Sequence, residues 1–344
     1  ENFEIAGGLK NGAFVSGLPF DDSDVYKIME GAAYSLSIFP DPKLEKYLDD
    51  LIAKVAAAQE RDGYLMTWRT IDASKPPTSW AGDEKRWSNT KDGHELYNVG
   101  HMYEAAVAHY LATGKKTFLK VAQKNADLIS KTFGPGKRLE IPGHEEIEIG
   151  LVKLYRVTGK KKYLNLAKHF IDQRGSGEER DLLGKYYQDD IPLLQQSEAI
   201  GHSVRAGYFY TGAADIAALT GDKEYIAAID RIWENVVSKK LYVTGGIGAS
   251  RKGEAFGDNY ILPNAEAYNE TCAAIANVLW NQRMFLLKGD AKYIDVLERT
   301  LYNGMLVGVS LQGDEFFYPN PLEFDGENKF NHGTSERQAW FGCS

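Results

Sequence analysis

The sequence predicts a mainly α-helical fold, an α/α toroid built from helical hairpins. Two observations lead to this prediction. Apolar residues recur at intervals of three and four over most of the chain, which is the spacing of one face of a helix. A short phrase containing glycine also recurs between the apolar stretches, and such a phrase is typical of the turn in a pair of antiparallel helices.

The repeated phrase joins the predicted helices in pairs. In each copy a glycine closes one helix, and an aromatic residue in the first turn of the next helix packs back on its predecessor. The copies are 111–115 before Phe118, 157–160 before Tyr163, 219–222 before Tyr225 and, more weakly, 287–290 before Tyr293, with a divergent earlier copy at 37–44. Because the loops between copies differ greatly in length, a closed toroid is favoured, and an open solenoid is the alternative.

The helices follow directly from the apolar spacing. They are predicted over residues 44–59, 103–111, 118–129, 147–155, 163–171, 204–219, 225–237, 273–287 and 293–306. Two short stretches, 241–244 and 315–318, resemble strands. Since large closed folds often run to this length as one unit, residues 1–344 are predicted to form a single toroid domain.

The composition is typical of a soluble globular protein, with 43% hydrophobic and 26% charged residues. The net charge of -8 argues against a nucleic-acid partner. No apolar run approaches the roughly 20 residues of a membrane span, so no membrane partner is expected. Two cysteines are too few for a disulfide framework, and the compartment stays open between the cytoplasm and export with a signal peptide removed. The oligomeric state is also open.

Four long connections between the predicted helices are expected to carry the chemistry, because loops on a rigid scaffold often do so. The loop at 70–92 contains Trp80 and leads to His94; the others are 139–148 with His144, 184–205 with His202, and the glycine-rich 245–272 with Glu254, Glu270 and Cys272. Each has a structural alternative. The histidines can serve as helix caps or buried hydrogen-bonded groups, and acidic residues at a helix start complement its dipole.

Glu270 and Cys272 are two residues apart, next to the helix predicted from residue 273. They face the same side only in an extended segment, so they could share a metal ion only just before that helix. Two such ligands do not complete a zinc site, which takes four ligands when structural and three plus an open position when catalytic. A buried structural thiol is the alternative for Cys272.

An ordered series of motifs runs through nearly the whole chain. These are Asp-Ser-Asp-Val-Tyr-Lys from Asp22, Asp-Gly-Tyr-Leu from Asp62, His-Glu-Leu-Tyr from His94, Pro-Gly-His from Pro142, Gly-His-Ser-Val-Arg from Gly201, Gly-Glu from Gly253, Leu-Pro-Asn from Leu262, Glu-Thr-Cys from Glu270 and Asn-Pro-Leu from Asn320. In this series the chain resembles glycoside hydrolase family 127, the β-L-arabinofuranosidase family. The resemblance implies a toroid of the six-hairpin glycosidase type, followed in the family by β-sandwich domains. It also implies a retaining glycosidase that acts on β-L-arabinofuranosides or a related plant-glycan sugar through a cysteine nucleophile held on zinc.

The resemblance also implies roles for individual residues. Glu254 matches the general acid/base, and Glu270 and Cys272 match two zinc ligands. The residues that match the substrate pocket are His94, His144, His202 and Tyr318, together with Cys343. Cys343 corresponds to the first cysteine of a Cys-x-Cys-Cys-Pro segment, whose later cysteines supply the nucleophile and the fourth zinc ligand in the family.

The match to that segment stops at Ser344. The chain begins without Met and stops within a segment that reads as ordered, so further residues are expected to follow. The polypeptide as written is expected to be inactive, with an incomplete zinc site. Two other functions stay open at this stage, a zinc-independent sugar epimerase or lyase on an α/α toroid and a non-catalytic glycan-binding toroid.

Overall fold

The structure, a computed structural model, describes residues 1–15 and 17–339. Over these residues it is mostly helical and contains no β-strand. The chain divides into two compact units, Glu1–Phe170 and Ile171–Ser344. The single domain expected from the sequence stays a prediction.

The first unit contains both short and long helices. They are α1 (Asn2–Ala6), α2 (Asp22–Ile38), α3 (Pro42–Ala58), α4 (Thr67–Asp72), α5 (Glu95–Thr113), α6 (Thr117–Thr132), α7 (Ile147–Thr158) and α8 (Lys161–Gln173), whose last residues belong to the second unit. Helix α5 packs against both α2 and α7. These contacts make α5 the central helix of the unit.

The second unit repeats the pattern of paired helices. It contains α9 (Ser203–Thr220), α10 (Lys223–Lys239), α11 (Thr271–Lys288) and α12 (Ala291–Thr300). A π-helical turn at Leu301–Met305 and a 3-10 turn at Leu306–Gly308 follow α12, in place of the continuous helix predicted to residue 306. Helix α9 packs against α11.

Helices α5 and α9 are buried on all sides over most of their length. Every residue at positions 95–109 of α5 and 203–217 of α9 is buried. A helix that is buried all round lies in the core of a protein, whereas helices such as α6 and α10 bury one face and expose the other. His94 and His202 are the residues immediately before these two helices, so the buried first turns of α5 and α9 hold candidate site residues in place.

The predicted hairpin turns are confirmed. Gly114, Gly159, Gly221 and Gly289 each follow a helix and adopt left-handed backbone with φ of 73°, 68°, 69° and 71°. Glycine meets little steric resistance in this conformation, which ends the helix and turns the chain towards the next one. The divergent copy behaves as expected as well, because Asp41 caps α3 and Pro42 occupies its first turn.

Tyrosines at the starts of α8, α10 and α12 link successive outer helices. The hydroxyl of Tyr163 donates a hydrogen bond of 2.6 Å to Asp127, and that of Tyr293 donates one of 3.1 Å to Asp230. Tyr225 donates to Asp172 in the same way. The aromatic position of the repeated phrase therefore serves both packing and a hydrogen bond to the preceding outer helix.

Two sequence predictions of strand are wrong. Residues 241–244 form a turn, in which the N–H of Gly245 donates to the carbonyl of Tyr242 over 2.8 Å. Gly245 has a φ of 85°, which brings the chain back on itself before a strand can extend. In 315–318, Phe316 makes isolated bridges to Val309 and Gln338, so the segment pairs at one residue without forming a strand.

Helix α2 has no counterpart among the helices predicted from the sequence. Its buried residues include the polar Asp22 and Ser23, which obscures the apolar spacing. Within the described ranges, the helices are too short or too polar to cross a membrane.

Candidate functional site

Glu254 occupies an unusual backbone position in the second unit. It ends the short 3-10 turn Lys252–Glu254 with a φ of 52°, a left-handed conformation that is uncommon for a residue with a side chain. Its carbonyl accepts a 2.9 Å hydrogen bond from the hydroxyl of Ser203, and the next residue, Ala255, exchanges two backbone hydrogen bonds with Ser250. Strained positions held by surrounding contacts are frequent at functional sites.

Two side chains hold the carboxylate of Glu254. The Nε2 of His202 lies 3.0 Å from one oxygen, and the hydroxyl of Tyr268 donates a 2.8 Å hydrogen bond to the other. The Glu254 side chain stays 30% exposed, so a ligand can reach it. Burial raises the pKa of Glu254, but the contacts with His202 and Tyr268 and the charge of His332 outweigh burial and hold this pKa below its ordinary value.

Glu270 lies immediately before helix α11 and is almost fully buried. Burial, and then the charge of Glu254, raise the pKa of Glu270 well above its ordinary value, while a hydrogen bond from Tyr318 opposes the rise. The backbone around it is fixed, because the N–H of Thr271 donates a 2.9 Å hydrogen bond to the carbonyl of Tyr318. We refer to Glu254, Glu270, His202, Tyr268 and Tyr318 as the acid cluster.

The acid cluster contains a group of donors that could hold a metal ion. One ligand atom each from His202, Glu254 and Glu270 lies within 4.8 Å of the others. Imidazole and carboxylate are ligand types that zinc accepts. Cys272 is not a member of this group; it is buried in the first turn of α11, which begins at Thr271 rather than at the predicted residue 273. Of the two predicted zinc ligands, Glu270 therefore lies among donors that could hold a metal ion, and Cys272 lies outside that group.

His202 is positioned by the glycine that precedes it. Gly201 has a φ of 74°, and a Cβ atom there would lie 2.1 Å from the carbonyl oxygen of Lys185. No real Cβ contact is this short, so only glycine allows the two segments to meet. On its other side, the Nδ1 of His202 accepts a hydrogen bond from the N–H of Arg205 in the first turn of α9.

In the first unit, His94 and His144 lie side by side, with their ring centroids 5.8 Å apart. Tyr97 contacts both, at 5.5 Å from His94 and 4.4 Å from His144. The Nδ1 of His144 donates to the carbonyl of Glu145 over 2.9 Å, and the Nδ1 of His94 contacts the carbonyl of Asp92. We call His94, His144 and Tyr97 the histidine cluster.

Both histidines of this cluster follow a glycine that lies against a backbone carbonyl oxygen. A Cβ at Gly143 would lie 1.8 Å from the carbonyl oxygen of Lys91, and one at Gly93 would lie 2.6 Å from that of Asn89. The loop before His144 and the loop before His94 are therefore in direct backbone contact. This contact places the two imidazole rings next to each other.

A buried charge network joins helices α2, α5 and α7 of the same unit. Lys153 of α7 pairs with Glu104 of α5 and, at 3.0 Å, with Glu30 of α2. Burial would raise the pKa of Glu104, but Lys153 and a hydrogen bond from Glu146 outweigh it and lower this pKa to about 2. Burial and the charge of Glu104 raise the pKa of Glu146 well above its ordinary value, so Glu146 is the protonated partner.

The structure thus brings the predicted site residues together in two clusters, one in each unit. Glu254, Glu270, His202 and Tyr318 share the acid cluster, and His94 and His144 share the histidine cluster; Cys343 lies outside the described residues. The sequence analysis missed Tyr268 and Tyr97. Tyr268 is two residues before Glu270, and a tyrosine next to a predicted metal ligand is the signal that could have identified it.

A family model described as "Beta-L-arabinofuranosidase, GH127 catalytic domain" matches residues 2–344. The chain is 40% identical over 367 residues to the non-reducing end beta-L-arabinofuranosidase of Bifidobacterium longum subsp. longum, covering 100% of this chain and 55% of that protein. A solved GH127 beta-arabinofuranosidase is 55% identical, with 99% of this chain and 52% of that chain covered and a TM-score of 0.90.

The solved Ara127N-Se, a GH127 beta-L-arabinofuranosidase from Geobacillus stearothermophilus T6, is 44% identical with a TM-score of 0.91, over 99% of this chain and 56% of that chain. The chain therefore spans about half the length of the relatives it matches. A sugar epimerase from a ruminal bacterium, at 13% identity and a TM-score of 0.57, shares the fold alone. These likenesses confirm the predicted fold class, the α/α toroid of helical hairpins.

Proposed function

Because the chain belongs to the GH127 family of beta-L-arabinofuranosidase catalytic domains, we propose that the protein is a retaining glycosidase that acts on β-L-arabinofuranosides or a related plant-glycan sugar. Within this proposal Glu254 is the general acid/base. The observation that supports it best is the carboxylate of Glu254, oriented by His202 and Tyr268 while 30% of its side chain stays exposed.

In the first step, a cysteine thiolate would form a bond to the anomeric carbon as the bond to the leaving group breaks, and Glu254 gives its proton to the oxygen that leaves. In the second step, the same carboxylate takes a proton from the water that releases the sugar. The hydrogen bonds from His202 and Tyr268 keep both oxygens of Glu254 in place between the two steps. In the free protein, the contacts with His202 and Tyr268 hold the pKa of Glu254 below its ordinary value and favour the carboxylate, the form that acts as the base in the second step.

The proposal includes zinc, with Glu270 and Cys272 among its ligands. When bound, zinc would keep a cysteine ligand deprotonated, the form that can attack an anomeric carbon. The family resemblance gives the attacking role to a later cysteine of the segment that Cys343 would open, and gives Cys272 the role of a ligand. Within the chain, Glu270 offers a buried carboxylate that Tyr318 orients through a hydrogen bond. His94, His144 and His202 are proposed to bind sugar hydroxyls.

The test is Glu254→Gln in the intact protein, which keeps the size of the side chain and removes its acid function. We expect hydrolysis of an arabinofuranoside with an alkyl or sugar leaving group to slow about 1000-fold, within the range of general acid catalysis. Azide needs no general base, so it should restore turnover of an activated aryl arabinofuranoside by the variant. Initial rates with and without azide provide the measurement.

The matched control is Glu266→Gln, an exposed glutamate in the same unit, which should hydrolyse both substrates at the wild-type rate. Normal hydrolysis by the Glu254→Gln variant would overturn the acid/base role. If the wild-type protein hydrolysed no glycoside, the proposal would fail as a whole and sugar binding without hydrolysis would take its place.

A further inference from the structure

We propose that Phe20 and Trp80 form an aromatic subsite for a second sugar ring, next to the one held by the histidine cluster. The proposal rests on the proposed function, because it takes the histidine cluster to bind sugar. Its ligand class is a neutral saccharide at least two residues long, or a glycan chain that ends in the sugar the protein releases. The subsite would therefore distinguish substrates by the sugar residue to which the released sugar is attached.

The two rings share a geometry suited to stacking. Phe20 and Trp80 are nearly parallel, with an interplanar angle of 24° and ring centroids 6.3 Å apart. Both rings contact His94, at 5.0 Å from Phe20 and 5.8 Å from Trp80. A ligand on His94 would therefore lie next to two aromatic rings.

Exposure distinguishes this pair from aromatic residues that build the core. Phe20 and Trp80 are each half-buried. Trp87, in the same loop as Trp80, is 8% exposed and packs edge-on against Tyr64 and Phe133. The side chain of Trp87 is buried against other aromatic rings, whereas Phe20 and Trp80 each retain solvent-exposed surface.

The backbone beside each ring is tied to a side-chain amide. The amide of Asn89 donates a 2.8 Å hydrogen bond to the carbonyl of Trp80. The amide of Asn98, which is 1% exposed in α5, donates a 2.9 Å hydrogen bond to the carbonyl of Pro19, the residue before Phe20. Both rings are therefore held on fixed backbone, which lowers the entropy lost when a ligand binds them.

The chemistry of the pair fits a sugar ring. One face of a sugar ring carries C–H groups, and these pack well on the electron-rich face of an aromatic ring. Binding pockets for small molecules combine such apolar surfaces with a few polar groups that fix orientation. Here the imidazole of His94 supplies the polar group beside the aromatic surface.

The experiment measures sugar binding without turnover. In the intact protein carrying Glu254→Gln, we compare the affinity for a disaccharide, whose non-reducing end is β-L-arabinofuranose, with that for methyl β-L-arabinofuranoside by calorimetry. Adding Trp80→Ala should weaken disaccharide binding about 3- to 10-fold, the effect of losing one aromatic contact. Affinity for the methyl glycoside should change less than about 2-fold.

Trp80→Phe retains a flat aromatic ring and should recover most of the disaccharide affinity. Phe39→Ala is the control, since Phe39 is a 72% exposed aromatic residue in the same unit and should leave both affinities unchanged. Equal losses for both sugars, or no loss for either, would overturn the subsite. If the Glu254→Gln protein itself bound neither sugar, the proposed function would fail first, and the subsite would fail with it.

Discussion

Asp22 is a carboxylate in the core of the first unit, at the start of α2. It is 5% exposed and accepts hydrogen bonds from the N–H and the hydroxyl of Thr67, at 2.8 and 2.6 Å. Burial raises the pKa of Asp22 to about 6; the Thr67 hydrogen bonds oppose this rise and the nearby charge of Asp24 adds to it. A carboxyl with a raised pKa in the folded state binds its proton more tightly there than in the unfolded chain.

This difference makes stability depend on pH. Between about pH 4 and pH 6 the folded state binds more protons at Asp22 than the unfolded state, so the contribution of Asp22 to stability falls as the pH rises. We expect Asp22→Asn to remove this contribution. The difference in free energy of unfolding between pH 4 and pH 7 should then shrink by at most about 3 kcal/mol.

Urea unfolding of the wild type and the variant at pH 4, 5.5 and 7 measures this difference. Asp50→Asn, which changes an exposed aspartate of the same unit, is the control. Identical pH dependence in the wild type and the Asp22→Asn variant would contradict the prediction.

Among the elements of the first unit, α2, α5 and α7 are joined by both packing and charge. Lys153 of α7 has a 17% exposed side chain and pairs with Glu104 of α5 and Glu30 of α2. Removing one member of a buried ion network leaves the others without compensation, which costs far more than breaking a surface pair. The contribution of Lys153 is therefore to prevent repulsion among carboxylates in the interior.

We expect Lys153→Met to lower the free energy of unfolding by about 3 kcal/mol, because it leaves Glu104 and Glu30 buried beside each other. Chemical denaturation at pH 7 measures the change. The matched control is Lys162→Met, because Lys162 is 45% exposed and pairs with Asp127 at 2.6 Å. The control should cost less than about 1 kcal/mol, and an equal loss in the two variants would contradict the prediction.

At this scale the sequence predicted the helices of the hairpins well. Amphipathic helices such as α10 show their apolar spacing openly, and glycines such as Gly221 mark where a helix ends. Helix α2 was missed because its buried face includes polar residues. The strand predicted at 241–244 was wrong, because a short apolar run does not reveal that Gly245 turns the chain.

The sequence also predicted most members of the two clusters, through the family resemblance. It did not predict Tyr268, Tyr97 or Phe20. The sequence around an aromatic residue near a helix is the same kind of sequence whether the side chain fills the core or contacts a ligand. What distinguishes the two cases is contact with segments far away in the chain, as between Phe20 and Trp80.

For the molecule as a whole, the prediction with the largest consequence concerns the proposed zinc ion. The family resemblance gives zinc a role, and Glu270 offers a buried ligand in a cluster that also contains Glu254 and His202. The cluster brings two carboxylates close together in a largely buried position, and a divalent cation would neutralise their mutual repulsion. Zinc content is a separate quantity from the rate of hydrolysis, so measuring it tests the metal site without assuming the catalytic role of Glu254.

We expect the intact protein to contain zinc, and treatment with a chelator to abolish hydrolysis until zinc is returned. Glu270→Gln should lower the zinc content, because an amide is a much weaker zinc ligand than a carboxylate. Glu266→Gln, which changes an exposed residue, should retain it. Elemental analysis by mass spectrometry provides the measurement, and full activity in chelator-treated protein would rule out a catalytic zinc.

The three glycines that precede His94, His144 and His202 limit how this protein can change over evolution. Each glycine lies against a backbone carbonyl oxygen elsewhere in its own loop or in a neighbouring one, so each histidine is located by a close contact between two backbone segments. Mutations that alter side chains on these loops, including Trp80, leave that contact intact and can accumulate. Insertions or deletions in either of the two contacting segments would move a histidine directly. We therefore expect substrate specificity to change through substitutions, while the lengths of the loops around the histidines stay constant.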